Sequence, residues 1–369
     1  MSALFTGVEG GGAWLLTAVA VFAVTLLLTL VLTRLAERLP EGTLHDPAPG
    51  SPDAERARKA QTRAVPLVGG LALLAGLALS GAGRADAGFE SIGLVWPGAV
   101  ACWSSLMLAF LVGFVDDALP AGLSPGAKFA AQCTAGLPLG FGMWSGLAEA
   151  NPGAAPGLLA LIGLLLAAAL AAAVAQNALN TFDNADGVAT GITAFGMALV
   201  SPVLAASLLG FLPFNLRMRR RRAFEQSLTP RAYLGDSGSH LLGMCILLFP
   251  PTWPLLALPL FDLGRLSVER LQRGSRPWRG DRFHLAHLLE ARGHSSLAVL
   301  VLLALIATPS ILFGFRGMQS AQPELVLGGI AGTGVAYLIS LWIARVGRAP
   351  VQELFPADFA PQSETTPVQ

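Results

Sequence analysis

Residues 157–187 read GLLALIGLLLAAALAAAVAQNALNTFDNADG, an uncharged apolar run that passes into a polar stripe carrying Asn177, Asn180, Asp183 and Asp186. The run reaches Leu179 and so approaches the ~20 residues one helix needs to cross a bilayer. Three-residue spacing puts Asn177, Asn180 and Asp183 on one helical face. Oxygen-bearing groups gathered in this way suit sugar hydroxyls, a nucleobase or the shell of a magnesium ion. Helix capping accounts for Asp186 but not for the whole stripe.

The rest of the chain extends this reading. Of 369 residues, 53% are hydrophobic and only 13% charged, and the mean hydropathy is +0.61, which excludes a soluble domain of this length. The apolar runs are long and continuous, not short and alternating, which excludes a β-barrel. The predicted fold is all-α, a polytopic transmembrane bundle of about nine to eleven membrane segments at ~20 residues per crossing. Clear spans are predicted at 13–32, 65–81, 92–115, 129–146, 157–179, 296–315 and 325–344. The first has no Lys or Arg before it and no small-residue cleavage site, so it reads as an uncleaved helix. Cys102, Cys133 and Cys245 lie in apolar stretches without a C-x-x-C pair and read as core residues. A single membrane domain is expected over 1–347, followed by a polar, disordered tail over 348–369.

Lys and Arg are segregated: six fall in 34–63, six in 217–231 and seven in 265–292. The positive-inside rule assigns these loops to the cytoplasm and the N-terminus to the outside. Two stretches, 188–214 and 240–261, are each long enough for one crossing, yet one crossing would place Arg217 to Arg222 and Asp236 outside. Pro202, and Pro250, Pro251 and Pro254, break their centres, so a shortened or re-entrant helical hairpin stands beside the one-crossing reading of each.

Four motifs at these cytoplasmic ends carry chemistry. Gly113-Phe-Val-Asp116-Asp117, followed by Leu123, Lys128 and Gln132, sets two repelling carboxylates at a helix end, as a general base or a divalent metal requires. The stripe from Asn177 to Asp186 is the second. In the third, Leu234-Gly-Asp236-Ser-Gly-Ser-His240, Asp236 opens an apolar helix, either as an N-cap or beside a phosphate and its metal. The fourth, Asp281-Arg282-Phe-His284-Leu-Ala-His287, has two histidines on one face. Two ligands do not make a zinc site, and the neighbouring arginines favour a phosphate.

In that order, and with Pro259-Leu-Phe-Asp262 before the last of them, these motifs resemble the polyprenyl-phosphate N-acetylhexosamine-1-phosphate transferases, on the WecA-like side of the superfamily that also holds MraY. The resemblance runs from Arg58-Lys59, Pro66 and Gly69-Gly70 to Gly293 and Ser295. It implies Mg²⁺-dependent transfer of a sugar-1-phosphate from a UDP-sugar to undecaprenyl or a related lipid phosphate, with release of UMP, and Mn²⁺ as a substitute ion. It assigns magnesium to Asp236 with Asp117, catalysis to Asp116, Asp117 and Asp183, and proton removal from the lipid phosphate or nucleophilic attack to Asp116. Lys59, Asn177, Asn180 and Asp186 fall to the substrate, and Arg282, His284 and His287 to the donor's phosphates and sugar. The implied setting is a bacterial inner membrane with a cytoplasmic active site. A homodimer is the expected assembly, and no nucleic acid is an expected partner.

The chain departs from the family pattern at Ala286, the middle of a histidine triplet; at Asn184, where a glycine is usual; at Gln61, where many relatives have histidine; and after Asp117, where a third carboxylate is missing. The stretches 188–214 and 240–261 are each shorter than the family's by roughly one helix, at about 20 residues per crossing. These departures motivate a second reading as a non-catalytic homologue that binds lipid phosphate or a glycan-synthesis partner. A third reading, a secondary transporter, requires carboxylates within the spans, whereas these gather at one edge.

Overall fold

A computed structural model describes residues 13–40, 43–46, 64–80, 98–154, 156–216, 230–278 and 281–346. Lys59, the arginines 217–222 and the tail 348–369 lie outside the described residues. The elements in chain order are α1 (Ala13–Ala36), β1 (His45–Asp46), β2 (Val65–Pro66), α2 (Gly69–Ser80), α3 (Ala99–Ala118), α4 (Pro125–Ala150), α5 (Leu158–Phe182), α6 (Val188–Met197), α7 (Pro202–Asn215) and α8 (Gly235–Leu248). A 3₁₀ turn (Pro250–Leu256) leads to α9 (Ala257–Gln272), α10 (Leu285–Ala291) and α11 (Ser296–Pro309). A π turn (Ser310–Gly314), α12 (Phe315–Ser320) and α13 (Pro323–Arg345) follow.

Five stretches among the described residues are long and apolar enough to cross a membrane: Trp14–Ala36, Ala99–Ala118, Leu158–Phe182, Ser296–Ser320 and Pro323–Arg345. The protein is an all-α, multi-pass membrane protein. One predicted span differs: 65–81 contains only the 12 residues of α2, whereas 129–146 lies inside α4, a continuous 26-residue helix that holds Pro138 within it. Lipid gives helices no hydrophobic reason to associate, so close backbone approach must hold them together. The alanines of α5 supply it, with Ala168, Ala169, Ala172, Ala173 and Ala175 buried. Gly136 and Gly140 of α4 lie against the Ala168 and Leu164 carbonyls, and Gly243 of α8 lies against that of Ala175. Large side chains such as Val100, Leu159 and Leu16 point outward instead.

The two middle stretches are hairpins, and the one-crossing reading gives way. Helices α6 and α7 have 10 and 14 residues, roughly 15 and 21 Å long, short of the ~30 Å hydrocarbon core. The chain turns over 198–201, where Ser201 accepts from the Leu204 amide at 3.3 Å and Pro202 starts α7. Thr190, at the start of α6, donates to Asn215, at the end of α7, at 3.0 Å, so both ends return to one level. The second hairpin is α8, the 3₁₀ turn and α9. Gly196 meets Leu255, and Gly314 meets Pro254, so the 3₁₀ turn lies beside the far end of α6 and the π turn. Gly191 of α6 meets Leu300 of α11, which sets the starts of α6 and α11 level and brings residues 281–295 to the end where α5 finishes.

A turn at membrane depth must satisfy the carbonyls freed at the helix end. Thr252 Oγ1 donates to the Ile246 and Phe249 carbonyls at 3.2 and 2.7 Å, and Trp253 Nε1 to that of Leu247 at 3.1 Å. Thr252→Val should therefore destabilise the protein by about 1–3 kcal/mol, the scale of a buried group left unsatisfied. Thr134→Val, which removes a hydroxyl on an exposed face, should change little. Equal thermal-unfolding midpoints for the two variants in detergent would refute this account of the turn.

Candidate active site

The site is assembled where the end of α3 meets the start of α8. Adjacent residues on a helix point about 100° apart, so Asp116 and Asp117 reach different partners. Asp117 Oδ1 accepts from the Asp236 amide at 2.8 Å, and Oδ2 accepts from the Ser237 amide at 3.0 Å and its hydroxyl at 2.8 Å. It thereby caps α8 from another helix, filling amides that a helix start leaves open and setting a negative charge at the positive end of the dipole. Only residues without a Cβ fit here. Gly235 has φ +73° and a Cβ on it would meet Asp117 Oδ2 at 2.6 Å, while one on Gly113 would meet the Asp236 carbonyl at 2.3 Å. The G-F-V-D-D and G-D-S-G motifs are thus two halves of one joint.

Asp116 turns to its own loop: Oδ1 accepts from the Leu123 amide at 2.6 Å and Oδ2 from Lys128 Nζ at 3.0 Å. Lys128, in the first turn of α4, also pairs with Asp236 Oδ2, so its ammonium bridges Asp116 and Asp236. The repulsion expected between Asp116 and Asp117 is relieved by this division of partners, with no cation shared between the two. Asn180 of α5 donates to Asp236 Oδ1 at 2.6 Å and to Ser239 Oγ at 3.1 Å. Beneath this layer Gln132 donates to His240 Nε2 at 3.0 Å and accepts from Asn177 at 2.5 Å.

The expected stripe on α5 is thus divided: Asn177 faces α4 and Asn180 faces α8. Asp183 caps α5 three residues beyond Asn180 and is half-buried, and Asp186 is buried in the turn that leads to α6. Lys59 lies outside the described residues, but the chain just after its segment is tied to the site. Tyr233 donates its amide to Pro66 at 2.9 Å, and Gly69 and Gly70 donate theirs to Tyr233 and Leu234, each at 3.1 Å.

Residues 281–287 lie at the same end. Asp281 is held by Arg270, whose Nε donates to it at 2.7 Å; burial raises the Asp281 pKa, but this pair outweighs it and holds the carboxyl below its usual range. Arg282 is half-buried. His284 is buried against Asp262, with Nδ1 2.8 Å from Oδ2, and His287 is half-buried and 3.3 Å from Glu290. Ala286 is buried as well.

Lys128, Gln132, His240 and Asp262, quoted in the motifs but given no role from the sequence, join the site residues. Their signal was there, since each is a polar residue set at the edge of an apolar run, but spacing alone did not say which aspartate each would meet. Among the described residues no three or more His, Cys, Asp or Glu side chains group to hold a metal by themselves. The donor set nevertheless fits magnesium, which takes one or two protein carboxylates together with substrate phosphates. Asp116 and Asp236 would supply those carboxylates, and the Lys128 ammonium that bridges them shows that the space between them accepts positive charge. The joint itself is testable: Asp117→Asn should speed amide hydrogen exchange over 235–239 by about tenfold or more, given 1.4 kcal/mol per tenfold. Unchanged exchange would show that Asp117 does not hold the start of α8.

Residues 99–250, which contain Asp116, Asp117, Lys128, Asn180 and Asp236, match the family model described as glycosyl transferase family 4. The decaprenyl-phosphate N-acetylglucosaminephosphotransferase of Mycobacterium leprae is 28% identical over 285 residues, covering 62% of this chain and 68% of the relative. The undecaprenyl-phosphate alpha-N-acetylglucosaminyl 1-phosphate transferase of Escherichia coli K12 is 27% identical over 163 residues, 36% of this chain and 42% of the relative. Its counterpart in Yersinia pestis is 27% identical over 188 residues, 42% of this chain and 48% of the relative. The chain thus spans about two thirds of the mycobacterial relative and less than half of the enterobacterial ones. With four motifs in order on an all-α membrane fold, and their central part inside the region that matches glycosyl transferase family 4, the chain is similar to the polyprenyl-phosphate N-acetylglucosamine-1-phosphate transferases.

Proposed function

We propose that the protein transfers N-acetylhexosamine-1-phosphate, with UDP-N-acetylglucosamine as the first donor to test, from the UDP-sugar to a polyprenyl phosphate, releasing UMP. The observation that carries this reading is the Asp116–Lys128–Asp236 bridge, two carboxylates and an ammonium gathered at the edge of apolar helices. Transfer between two polyanions needs charge neutralisation and in-line placement more than covalent help from the protein. The names of the relatives supply the lipid phosphate and the acetylated hexosamine.

Asp116 accepts the proton of the lipid phosphate. The freed oxygen attacks the phosphorus next to the sugar, forming one P–O bond while the P–O bond to UMP breaks, and UMP carries away that electron pair. Lys128 and Asn180 hold the reacting phosphates and the Asp236 carboxylate in place, and Asp117 keeps α8 seated. Asp236 and Asp116 would hold magnesium, which would supply positive charge to the donor's phosphates. Arg282, His284 and His287 bind the donor from the 281–292 side. The basic loops set the site at the cytoplasmic face of a bacterial inner membrane.

The test is UMP release by purified protein with undecaprenyl phosphate and a panel of UDP-N-acetylhexosamines. Activity should require Mg²⁺, fall to background in EDTA and be abolished in Asp236→Asn. Asp116→Asn should lower kcat by more than ~100-fold, the usual scale of a general base. Silence across the panel from folded protein, or full activity in Asp236→Asn, would overturn the proposal and favour a homologue that binds without turnover.

A further inference from the structure

Behind residues 281–287, four side chains form a closed hydrogen-bonded knot. Asp262 of α9, 3% exposed, accepts at Oδ2 from His284 Nδ1 at 2.8 Å. At Oδ1 it accepts from Arg265 Nη2 at 2.9 Å, the Tyr337 hydroxyl at 2.8 Å and the Leu285 amide at 3.3 Å. Arg265 donates through Nε to the Tyr337 oxygen and through Nη2 to the Phe283 carbonyl, each at 2.6 Å. Tyr337 sits on α13, is 2% exposed and stacks on Phe261 at 6.3 Å. It belongs to none of the four motifs and lies outside residues 99–250. A hydroxyl buried in a membrane bundle is costly unless bonded, and a phenylalanine would serve the packing alone.

The knot fixes the chemistry of His284. With a carboxylate as its partner, Nδ1 carries the proton and Nε2 is left to accept. Burial lowers the His284 pKa and outweighs the pull of Asp262, so the ring is neutral at neutral pH. The backbone on both sides is tied into the same knot, through the Phe283 carbonyl and the Leu285 amide.

We propose that Tyr337 is a positioning residue for sugar-nucleotide recognition: through Asp262 and Arg265 it holds His284 in the Nδ1–H tautomer, leaving Nε2 to accept a hydrogen bond from a donor hydroxyl or amide. This rests on the transferase reading above and extends it to the last described helix. The predicted consequence is specific to one substrate. A group that orders the donor loop acts on donor binding, while the lipid acceptor and the Asp116–Lys128–Asp236 centre are left as they are.

Tyr337→Phe keeps the ring on Phe261 and removes only the hydroxyl. In the full-length enzyme it should raise KM for the UDP-sugar about fivefold to tenfold, while kcat and KM for polyprenyl phosphate change less than twofold. An unchanged donor KM, or parallel loss in kcat and both KM values, would overturn the proposal. A second measurement does not need turnover: ¹⁵N NMR of histidine-labelled protein, with His284 identified by His284→Gln among the five histidines. His284 should report the Nδ1–H tautomer, shift toward a mixture in Tyr337→Phe and move to Nε2–H in Asp262→Asn, where an amide can donate to Nδ1. A His284 signal that is Nε2–H or imidazolium in the unmodified protein, or is untouched by Tyr337→Phe, overturns the proposal. If no sugar-nucleotide yields UMP, the transferase reading fails separately, and the tautomer measurement still decides the role of Tyr337 in holding His284.

Discussion

Asp117 accepting three hydrogen bonds from the first turn of α8 is the constraint on which the rest of the site depends. A helix start that opens inside a membrane protein has amides to satisfy and a positive dipole end to answer, and a carboxylate from a neighbouring helix does both. Once α8 is seated in this way, the Asp236 side chain is committed to the space shared with Lys128 and Asn180. Asp116, one residue earlier, is directed to the same ammonium. Two adjacent aspartates therefore perform different tasks: one builds the joint, and the other faces the chemistry. The glycines at 113 and 235 permit the approach, which ties the two motifs together by contact as well as by charge.

The hairpins solve a second problem, that of bringing distant sequence to one end of the bundle. Because α6 with α7 and α8 with α9 both turn back before crossing, the ends of α5, α7 and α9 and the start of α11 gather near the carboxylates. A single crossing in place of the first hairpin would carry Asp236 to the opposite end, away from Lys128 and Asn180. Shorter helices leave polar backbone groups open at depth; Thr252 and Trp253 donate to the freed carbonyls, and Ser201 accepts from the Leu204 amide. The polar knot around Asp262 plays a comparable part for residues 281–287, joining α9 and α13 to a loop that backbone bonds alone would leave loosely placed.

Much of this was legible in the sequence. Long uncharged runs gave the helical membrane fold, and prolines at 202, 250, 251 and 254 marked the turns of both hairpins. Asp116, Asn180 and Asp236 were singled out because a charge or amide at the edge of an apolar run needs a partner; Asp116 and Asp236 share Lys128, and Asn180 bonds to Asp236. Partner choice was not legible. Asn177 and Asn180 lie on one helical face, yet they diverge because α4 and α8 pack on either side of that face. Span 65–81 was misjudged in length because a window of hydropathy does not register where a short helix ends, while 129–146 falls within the continuous helix α4. Tyr337 carried only the faint signal of a phenol in an apolar helix, one of two tyrosines in the chain.

The most direct test of the central claim is an electron cryo-microscopy structure of the protein with UDP-N-acetylglucosamine and Mg²⁺. The account requires the donor's two phosphates between Asp116, Lys128 and Asp236, the nucleotide on the side of residues 281–292, and Asp117 still bonded to the start of α8. Phosphate density away from that space, or an Asp117 side chain released from Asp236 and Ser237 to bind the metal, would contradict it.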